Sequence, residues 1–142
     1  AEGCVLIDML AKLRAETGLM PDIFNLDTLY QFPQTLTLRS QIEKRYNISI
    51  RRVLPAPEIE GAEEQSRRET GEPLYKINPL ANWSKAQVWD YINSHNVPVN
   101  MLHAQGYPSI GCWPCTRAVT AGQDDRAGRW AGTEKRECGL HK

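Results

Sequence analysis

Short β-prone runs that alternate with helical stretches limit the fold of this 142-residue chain more than any other feature. Runs at 22–28 and 48–55 are predicted strands, and a helical stretch at 33–46 separates them. A third strand is predicted at 74–80, after a polar stretch without periodicity that is typical of a loop. Because strands that alternate with helices pair in parallel, the pattern predicts an α/β fold with a parallel sheet and flanking helices.

Two further helices are predicted, one on each side of this region. Apolar residues recur at helical spacing from Val5 to Leu13, and Gly18 marks the end of that helix. Ser84 and Gln87 have the spacing of a capping box just before the apolar Val88. From residue 97 onward the chain is rich in Gly, Pro and small polar residues, which favours loops that build a site.

Charge and hydropathy narrow the class of protein. Lys and Arg together number 17, as do Asp and Glu, so the formal net charge is zero. Bulk charge therefore gives no reason to expect nucleic acid or an acidic membrane as a partner. No apolar run approaches the roughly 20 residues that cross a bilayer. We expect one domain of a cytoplasmic protein, and self-association of the subunit is left open.

The cysteines are the first candidates for chemistry. Cys112 and Cys115 form a C-x-x-C pair, which can bind a metal, sit on an iron-sulfur cluster or cycle as a dithiol. The dithiol is disfavoured because the pair lies in a Gly- and Pro-rich loop. A zinc or cluster site needs about four ligands, and the other suppliers are Cys4, His103 and Cys138. Cys4 itself is expected in the core, beside apolar neighbours on its helix.

Cys138 has the neighbours of a reactive thiol. Lys135 and Arg136 precede it and His141 follows three residues later. Nearby cations favour the thiolate, which is the nucleophilic form of cysteine. The alternative is a small residue that lies near a terminus without a role.

Two arginines are candidates for binding an anion. Arg126 and Arg129 project on one side if their segment turns helically, and two guanidinium groups suit phosphate or sulfate oxygens. The alternative is a pair of surface salt bridges to the neighbouring Asp124 and Asp125.

Several of these segments together resemble the family of adenylylsulfate and phosphoadenylylsulfate reductases. They are NLDT, KINPLANWSKAQVWDYI, VPVNMLHAQGYPSIGCWPCTRAV and GRWAGTEKRECGLH. The resemblance implies an open parallel sheet of the adenine-nucleotide α-hydrolase type, with flanking helices and a flexible C-terminal tail. Residues 1–142 would form one catalytic domain, and residues 116–142 its tail.

The resemblance also implies a reaction, the reduction of adenosine 5'-phosphosulfate to sulfite in sulfate assimilation. Cys138 would attack the sulfur of the phosphosulfate, form an S-sulfocysteine and release AMP, and thioredoxin would then free sulfite. Arg126 and Arg129 match arginines that hold the phosphosulfate, and His141 matches a histidine near the same anion. Asp27, in a stretch that lines the nucleotide pocket, would contact ribose or adenine.

With its C-x-x-C pair, the chain resembles one branch of this family. Members of that branch hold a four-iron, four-sulfur cluster (4Fe-4S) and prefer the substrate without a 3'-phosphate. Cys112 and Cys115 would be two of its ligands. The adjacent Cys-Cys pair expected before residue 74 is absent, with most of its surrounding segment, as is the phosphate loop expected ahead of residue 1. Leu29 stands where a glycine is common.

Two alternatives remain. The first is the same reaction on 3'-phosphoadenosine 5'-phosphosulfate, the substrate of members without a cluster. The second is a non-catalytic module in which Cys112, Cys115 and other thiols hold zinc, although ligands for a four-coordinate site are scarce.

Overall fold

The computed structural model describes residues 1–54 and 77–130. Two short strands, β1 (Phe24–Leu26) and β2 (Arg51–Val53), pair in parallel, with Phe24 opposite Arg51. A helix connects them, so the α/β pattern with a parallel sheet is confirmed. The predicted loop at 55–73, Cys138 and His141 lie outside the described residues.

Three α-helices accompany this sheet. They are α1 (Glu2–Thr17), α2 (Pro33–Tyr46) and α3 (Lys85–His95), each within a residue or two of its prediction. Two single turns of 3₁₀ helix follow, at Met101–Gln105 and Trp113–Cys115. Within the described ranges, none of the helices has the length and apolar character needed to cross a membrane.

The helix ends follow from local sequence. Gly18 adopts φ 73°, the left-handed conformation that glycine tolerates, and its N–H donates to the Arg14 carbonyl at 2.8 Å. The predicted capping box is confirmed at α3. The Ser84 hydroxyl accepts from the Gln87 N–H at 3.2 Å, and the Gln87 side chain accepts from the Ser84 N–H at 2.7 Å.

One apolar core joins the three helices to the start of β2. Cys4 is part of it, as expected, and Val5 is fully buried. Val97 and Leu102 are also buried, so the segment after residue 97 contributes more to the core than its composition indicates. The buried members of the core cluster are Cys4, Val5, Ile42, Ile50, Val88, Ile92 and Val97.

A charged group is also buried between the helices. Asp8 of α1 accepts hydrogen bonds from the Tyr46 hydroxyl at 2.9 Å and the Tyr91 hydroxyl at 2.7 Å, and Lys12 pairs with it at 2.8 Å. Burial acts to raise the pKa of Asp8, but the hydrogen bonds and the Lys12 charge outweigh burial and lower it. We call these four residues the helix junction. No motif in the sequence predicts it.

The predicted strand at 74–80 is wrong for the residues that the structure describes. Residues 77–80 lead into a turn, in which the Ala81 N–H donates to the Asn78 carbonyl at 3.1 Å. Pro79 explains this outcome, because it lacks an N–H for a ladder and an Asn-Pro pair favours a turn.

Candidate active site

A cavity of about 800 Å³ opens at the carboxyl end of β1. Leu26 and Thr28 line it from the strand side, and Ala1 and Glu2 line it from the start of α1. In open α/β sheets, ligands bind beyond the carboxyl ends of the strands. The N-terminal end of α1, which carries partial positive charge, and the Glu2 carboxylate both lie at this wall of the cavity.

Asp27 lies just beneath this cavity rather than in its wall. Its side chain is buried, and it accepts from the Leu29 N–H at 2.8 Å and from Arg52 Nε at 2.6 Å. The Leu29 hydrogen bond and the Arg52 charge outweigh burial and lower the pKa of Asp27. In the described residues both carboxylate oxygens therefore hold the loop after β1, and contact with ribose or adenine stays a prediction.

Leu29 has a strained backbone conformation in that loop. Its φ is 66°, in the left-handed region that glycine occupies without cost. This conformation gives a physical reason for the resemblance to sequences with glycine at this position.

The C-x-x-C pair contacts the same loop. The Cys112 thiol and the Thr28 hydroxyl form a hydrogen bond of 3.1 Å, and the Trp113 N–H donates to the Tyr30 carbonyl at 2.8 Å. The Cys115 N–H donates to the Cys112 carbonyl at 3.0 Å, which closes a 3₁₀ turn. Cys112 is half-buried at the cavity wall, whereas Cys115 is exposed.

These thiols do not make a complete site for a four-iron cluster. Among residues 1–54 and 77–130, no three His, Cys, Asp or Glu side chains gather where they could hold a metal. Cys4 belongs to the core, and burial raises the pKa of its thiol, which disfavours the thiolate that ligates iron. His103 donates from Nδ1 to the Tyr107 carbonyl at 2.9 Å. The donor set in the described part of the chain is therefore two thiols.

Arg129 is held tightly at the cavity. Its Nη1 donates to the Ser109 hydroxyl and to the Ile110 carbonyl, both at 3.3 Å. Its Nε is buried and has no hydrogen-bond partner among the described residues. A Cβ on Gly111 would lie 2.6 Å from Arg129 Cζ, so the guanidinium occupies space that glycine leaves open.

Arg126 lines the same cavity, and neither arginine pairs with the two neighbouring aspartates. Asp125 pairs with Lys85 at 2.7 Å, and Asp124 accepts from the backbone N–H of Arg126 at 2.8 Å. The alternative of surface salt bridges to these aspartates is therefore wrong. The structure brings both predicted anion-binding residues to one cavity.

The loop that carries the arginines packs on the C-x-x-C turn. Thr116 and Arg129 form an antiparallel bridge, and the Arg117 N–H donates to the Gly128 carbonyl at 3.0 Å. A Cβ on Gly128 would overlap the Arg117 carbonyl oxygen, so the close approach requires glycine. The described part of the predicted tail therefore contributes to the cavity wall, through residues 124–126 and Arg129.

Several residues of this site carry no motif that marks them in the sequence. Thr28, Ser109 and Gly111 each hold a candidate residue in place, and Trp130 contacts both arginines. The only available signals were the position of Thr28 in NLDT and a glycine directly before Cys112.

Known proteins match this chain in sequence and in fold. An adenosine 5'-phosphosulfate reductase of Allochromatium vinosum is 63% identical over 71 residues, which are 49% of this chain and 28% of that protein. A phosphoadenosine phosphosulfate reductase of Saccharomyces cerevisiae is 33% identical over 197 aligned positions, covering 99% of this chain and 75% of that protein. That alignment is at least 55 positions longer than the 142 residues here, so the yeast protein contains internal sequence without a counterpart.

The fold comparison agrees. The crystal structure of the phosphoadenylyl-sulfate reductase of Candida auris matches with a TM-score of 0.55 at 23% identity, covering 79% of this chain and 76% of that one. The expected fold of the adenine-nucleotide α-hydrolase type is thereby confirmed. The family model for the phosphoadenosine phosphosulfate reductase domain matches residues 1–71 and 62–118. The chain therefore belongs to this family of sulfonucleotide reductases.

Proposed function

We propose that this protein reduces adenosine 5'-phosphosulfate to sulfite and AMP, as a thiol-dependent enzyme of sulfate assimilation in the cytoplasm. The observation that carries the proposal is the convergence of Arg126 and Arg129 on the cavity beyond β1. A phosphosulfate group carries negative charge on both its phosphate and its sulfate, and guanidinium groups bind such oxygens well. The same cavity has room for a nucleoside.

The proposed chemistry uses two thiol exchanges. The Cys138 thiolate attacks the sulfur, the bond from sulfur to the bridging phosphate oxygen breaks, and AMP leaves with that oxygen. The enzyme then carries an S-sulfocysteine. A thiolate of thioredoxin attacks the Cys138 sulfur and displaces sulfite, and its second thiol resolves the mixed disulfide. Two electrons pass from the dithiol to the sulfonate, and Cys138 returns to its starting state.

The other candidate residues have supporting roles in this proposal. Arg126 and Arg129 neutralise the phosphosulfate and stabilise the departing phosphate, and His141 contributes positive charge near the same anion. Asp27 fixes the loop after β1 through its contacts with Leu29 and Arg52. Residues 1–142 act as one catalytic domain whose tail, 116–142, carries Cys138.

The substrate is proposed to lack a 3'-phosphate on its nucleotide. The C-x-x-C pair and the Allochromatium relative favour the substrate without a 3'-phosphate. The named activity of the yeast relative favours 3'-phosphoadenosine 5'-phosphosulfate as the second candidate. The ratio of kcat/KM for the two nucleotides decides between them, because it measures differential binding of the transition state.

The central test is replacement of the nucleophile. Cys138→Ser should abolish sulfite formation with thioredoxin and its reductase, because a serine hydroxyl is not ionised at neutral pH and gives no reducible thiosulfonate. Intact mass should show one added sulfonate on the native chain incubated with substrate and no reductant. Cys4→Ala, which removes a core thiol, is the matched control and should keep both signals. Full sulfite formation by Cys138→Ser would rule out the mechanism.

A further inference from the structure

The two arginines of the cavity share one aromatic neighbour. Arg129 Cζ lies 4.6 Å from the centroid of the Trp130 ring, and Arg126 Cζ lies 5.4 Å from it. Both distances are within the range of a cation–π contact, for which tryptophan is the best partner. Two neighbouring guanidinium groups repel each other, and an electron-rich ring that contacts both offsets part of that repulsion.

The Trp130 ring is itself fixed by its surroundings. The residue is only 7% exposed, and its backbone N–H donates to the Cys115 carbonyl at 2.7 Å. The preceding residue, Arg129, is bridged to Thr116 across the turn. The ring is therefore buried, and the backbone that carries it is bonded to the C-x-x-C turn.

The arginines depend on the ring to different degrees. Arg129 also has its hydrogen bonds to Ser109 and Ile110. In the described part of the chain, the guanidinium of Arg126 makes a cation–π contact with the Trp130 ring and no hydrogen bond or ion pair. A long exposed side chain loses rotamer freedom when it binds an anion, and a prior contact reduces that loss.

We infer that Trp130 is a positioning residue, which holds Arg126 and Arg129 in the geometry that binds the phosphosulfate. This inference rests on the proposed function, because it assigns the arginines to that anion. Trp130 need not touch the substrate. Its contribution should be confined to ligands that carry the anion and should be absent for the nucleoside alone.

The test compares two replacements of the ring in the full-length Cys138→Ser protein, in which substrate binds without reacting. Trp130→Leu removes the aromatic face but keeps an apolar side chain, whereas Trp130→Phe keeps an aromatic face. Calorimetric titration should show adenosine 5'-phosphosulfate binding about tenfold weaker in the Leu variant and within about threefold of the parent in the Phe variant. Adenosine should bind equally to all three proteins.

Two controls separate positioning from general loss of structure. Trp113→Leu removes an exposed ring that follows Cys112 and makes no cation–π contact among the described residues. It should leave binding of adenosine 5'-phosphosulfate unchanged. In an Arg126→Ala background, Trp130→Leu should weaken that binding by a smaller factor than in the parent, because one of the two partners is already gone.

Three outcomes would overturn the inference: equal loss of affinity for adenosine and for the phosphosulfate, an unchanged affinity in the Leu variant, or no recovery in the Phe variant. Failure of the proposed function has a different signature. In that case the protein with Cys138 intact would form no sulfite, while the ring-dependent binding of the anion would remain. If the parent does not bind adenosine 5'-phosphosulfate at all, both fail together.

Discussion

The buried polar groups of the helix junction have hydrogen-bond partners, whereas several of those at the cavity beyond β1 have none among the described residues. At the junction, three donors satisfy the two carboxylate oxygens of Asp8. At the cavity, by contrast, Arg129 Nε, Asn25 Oδ1 and Gln31 Oε1 are buried without a partner among the described residues. A satisfied polar cluster stabilises the fold, while unsatisfied groups cost stability of about 1–3 kcal/mol each. The difference assigns stability to the junction and ligand binding to the cavity.

Removal of the junction carboxylate should have the largest effect on stability. Asp8→Ala leaves the hydroxyls of Tyr46 and Tyr91 without their acceptor inside the helix packing. A buried polar group left without its partner costs about 1–3 kcal/mol, and two hydroxyls lose their acceptor here. Urea unfolding should show that loss in the free energy of unfolding. Lys12→Ala, which removes the half-exposed partner and keeps both tyrosine donors, is the control and should cost less than Asp8→Ala.

The pH dependence gives a second readout of the same change. The folded-state pKa of Asp8 is lowered, so its contribution is fully present above the unfolded pKa of about 4 and is lost as pH falls through the folded pKa. Asp8→Ala should therefore flatten the acid side of the stability profile. An equal loss of stability in the parent and the variant between pH 5 and pH 2, or an Asp8→Ala cost below that of Lys12→Ala, would break the comparison.

A methyl group at Gly111 should act on binding more than on stability. The Cβ of Gly111→Ala would lie 2.6 Å from Arg129 Cζ, so the guanidinium must move away from Ser109 and Ile110. We expect affinity for adenosine 5'-phosphosulfate to fall about tenfold, from the loss of one charge-assisted contact. The free energy of unfolding should change by about 1 kcal/mol, the ordinary cost of overpacking.

Gly3→Ala is the matched control for that variant. A Cβ on Gly3 meets nothing within 4 Å, and the residue lies in α1, where alanine is favoured. Its affinity for the nucleotide should equal that of the parent. If the Gly111→Ala and Gly3→Ala variants bind adenosine 5'-phosphosulfate equally tightly, the position of the Arg129 guanidinium does not affect binding of the anion.

Local rules predicted much of the fold. The helix from Pro33 to Tyr46 was predicted at its observed bounds, and the capping box at Ser84 was found from two residues alone. Such features depend on neighbours within four positions, which the sequence displays directly. The strand predicted at 74–80 is wrong at 77–80, because the Asn-Pro pair favours a turn where the apolar pattern predicts a strand.

From the sequence, only the charged and thiol side chains of the site could be predicted. Arg126 and Arg129 could be chosen because guanidinium groups suit an anion. The Cys112–Thr28 hydrogen bond joins residues 84 positions apart, and no periodicity connects them. The same holds for the Tyr91–Asp8 bond, which spans 83 positions. Contacts of this kind depend on how the helices and loops pack, which the local pattern does not specify.

The smallest predicted effect concerns the strained loop of the cavity. Leu29 is 64% exposed and has φ 66°, so its side chain gains little from burial while its backbone costs about 1–2 kcal/mol. Leu29→Gly removes that cost but gives the unfolded chain more freedom, which is worth about 0.4–1 kcal/mol. The free energy of unfolding should therefore rise by about 0.5 kcal/mol in urea titrations.

Leu19→Gly is the control, because Leu19 is 75% exposed and has no positive φ. Glycine should destabilise the protein there, since only the unfolded-state term remains. If Leu29→Gly stabilises the protein and Leu19→Gly destabilises it, the backbone strain lies at the cavity, beside the buried polar groups that have no partner among the described residues. A loss of stability at both positions would mean that the Leu29 side chain contributes more than its exposure indicates. The loop after β1 would then resemble the helix junction, where structure serves stability.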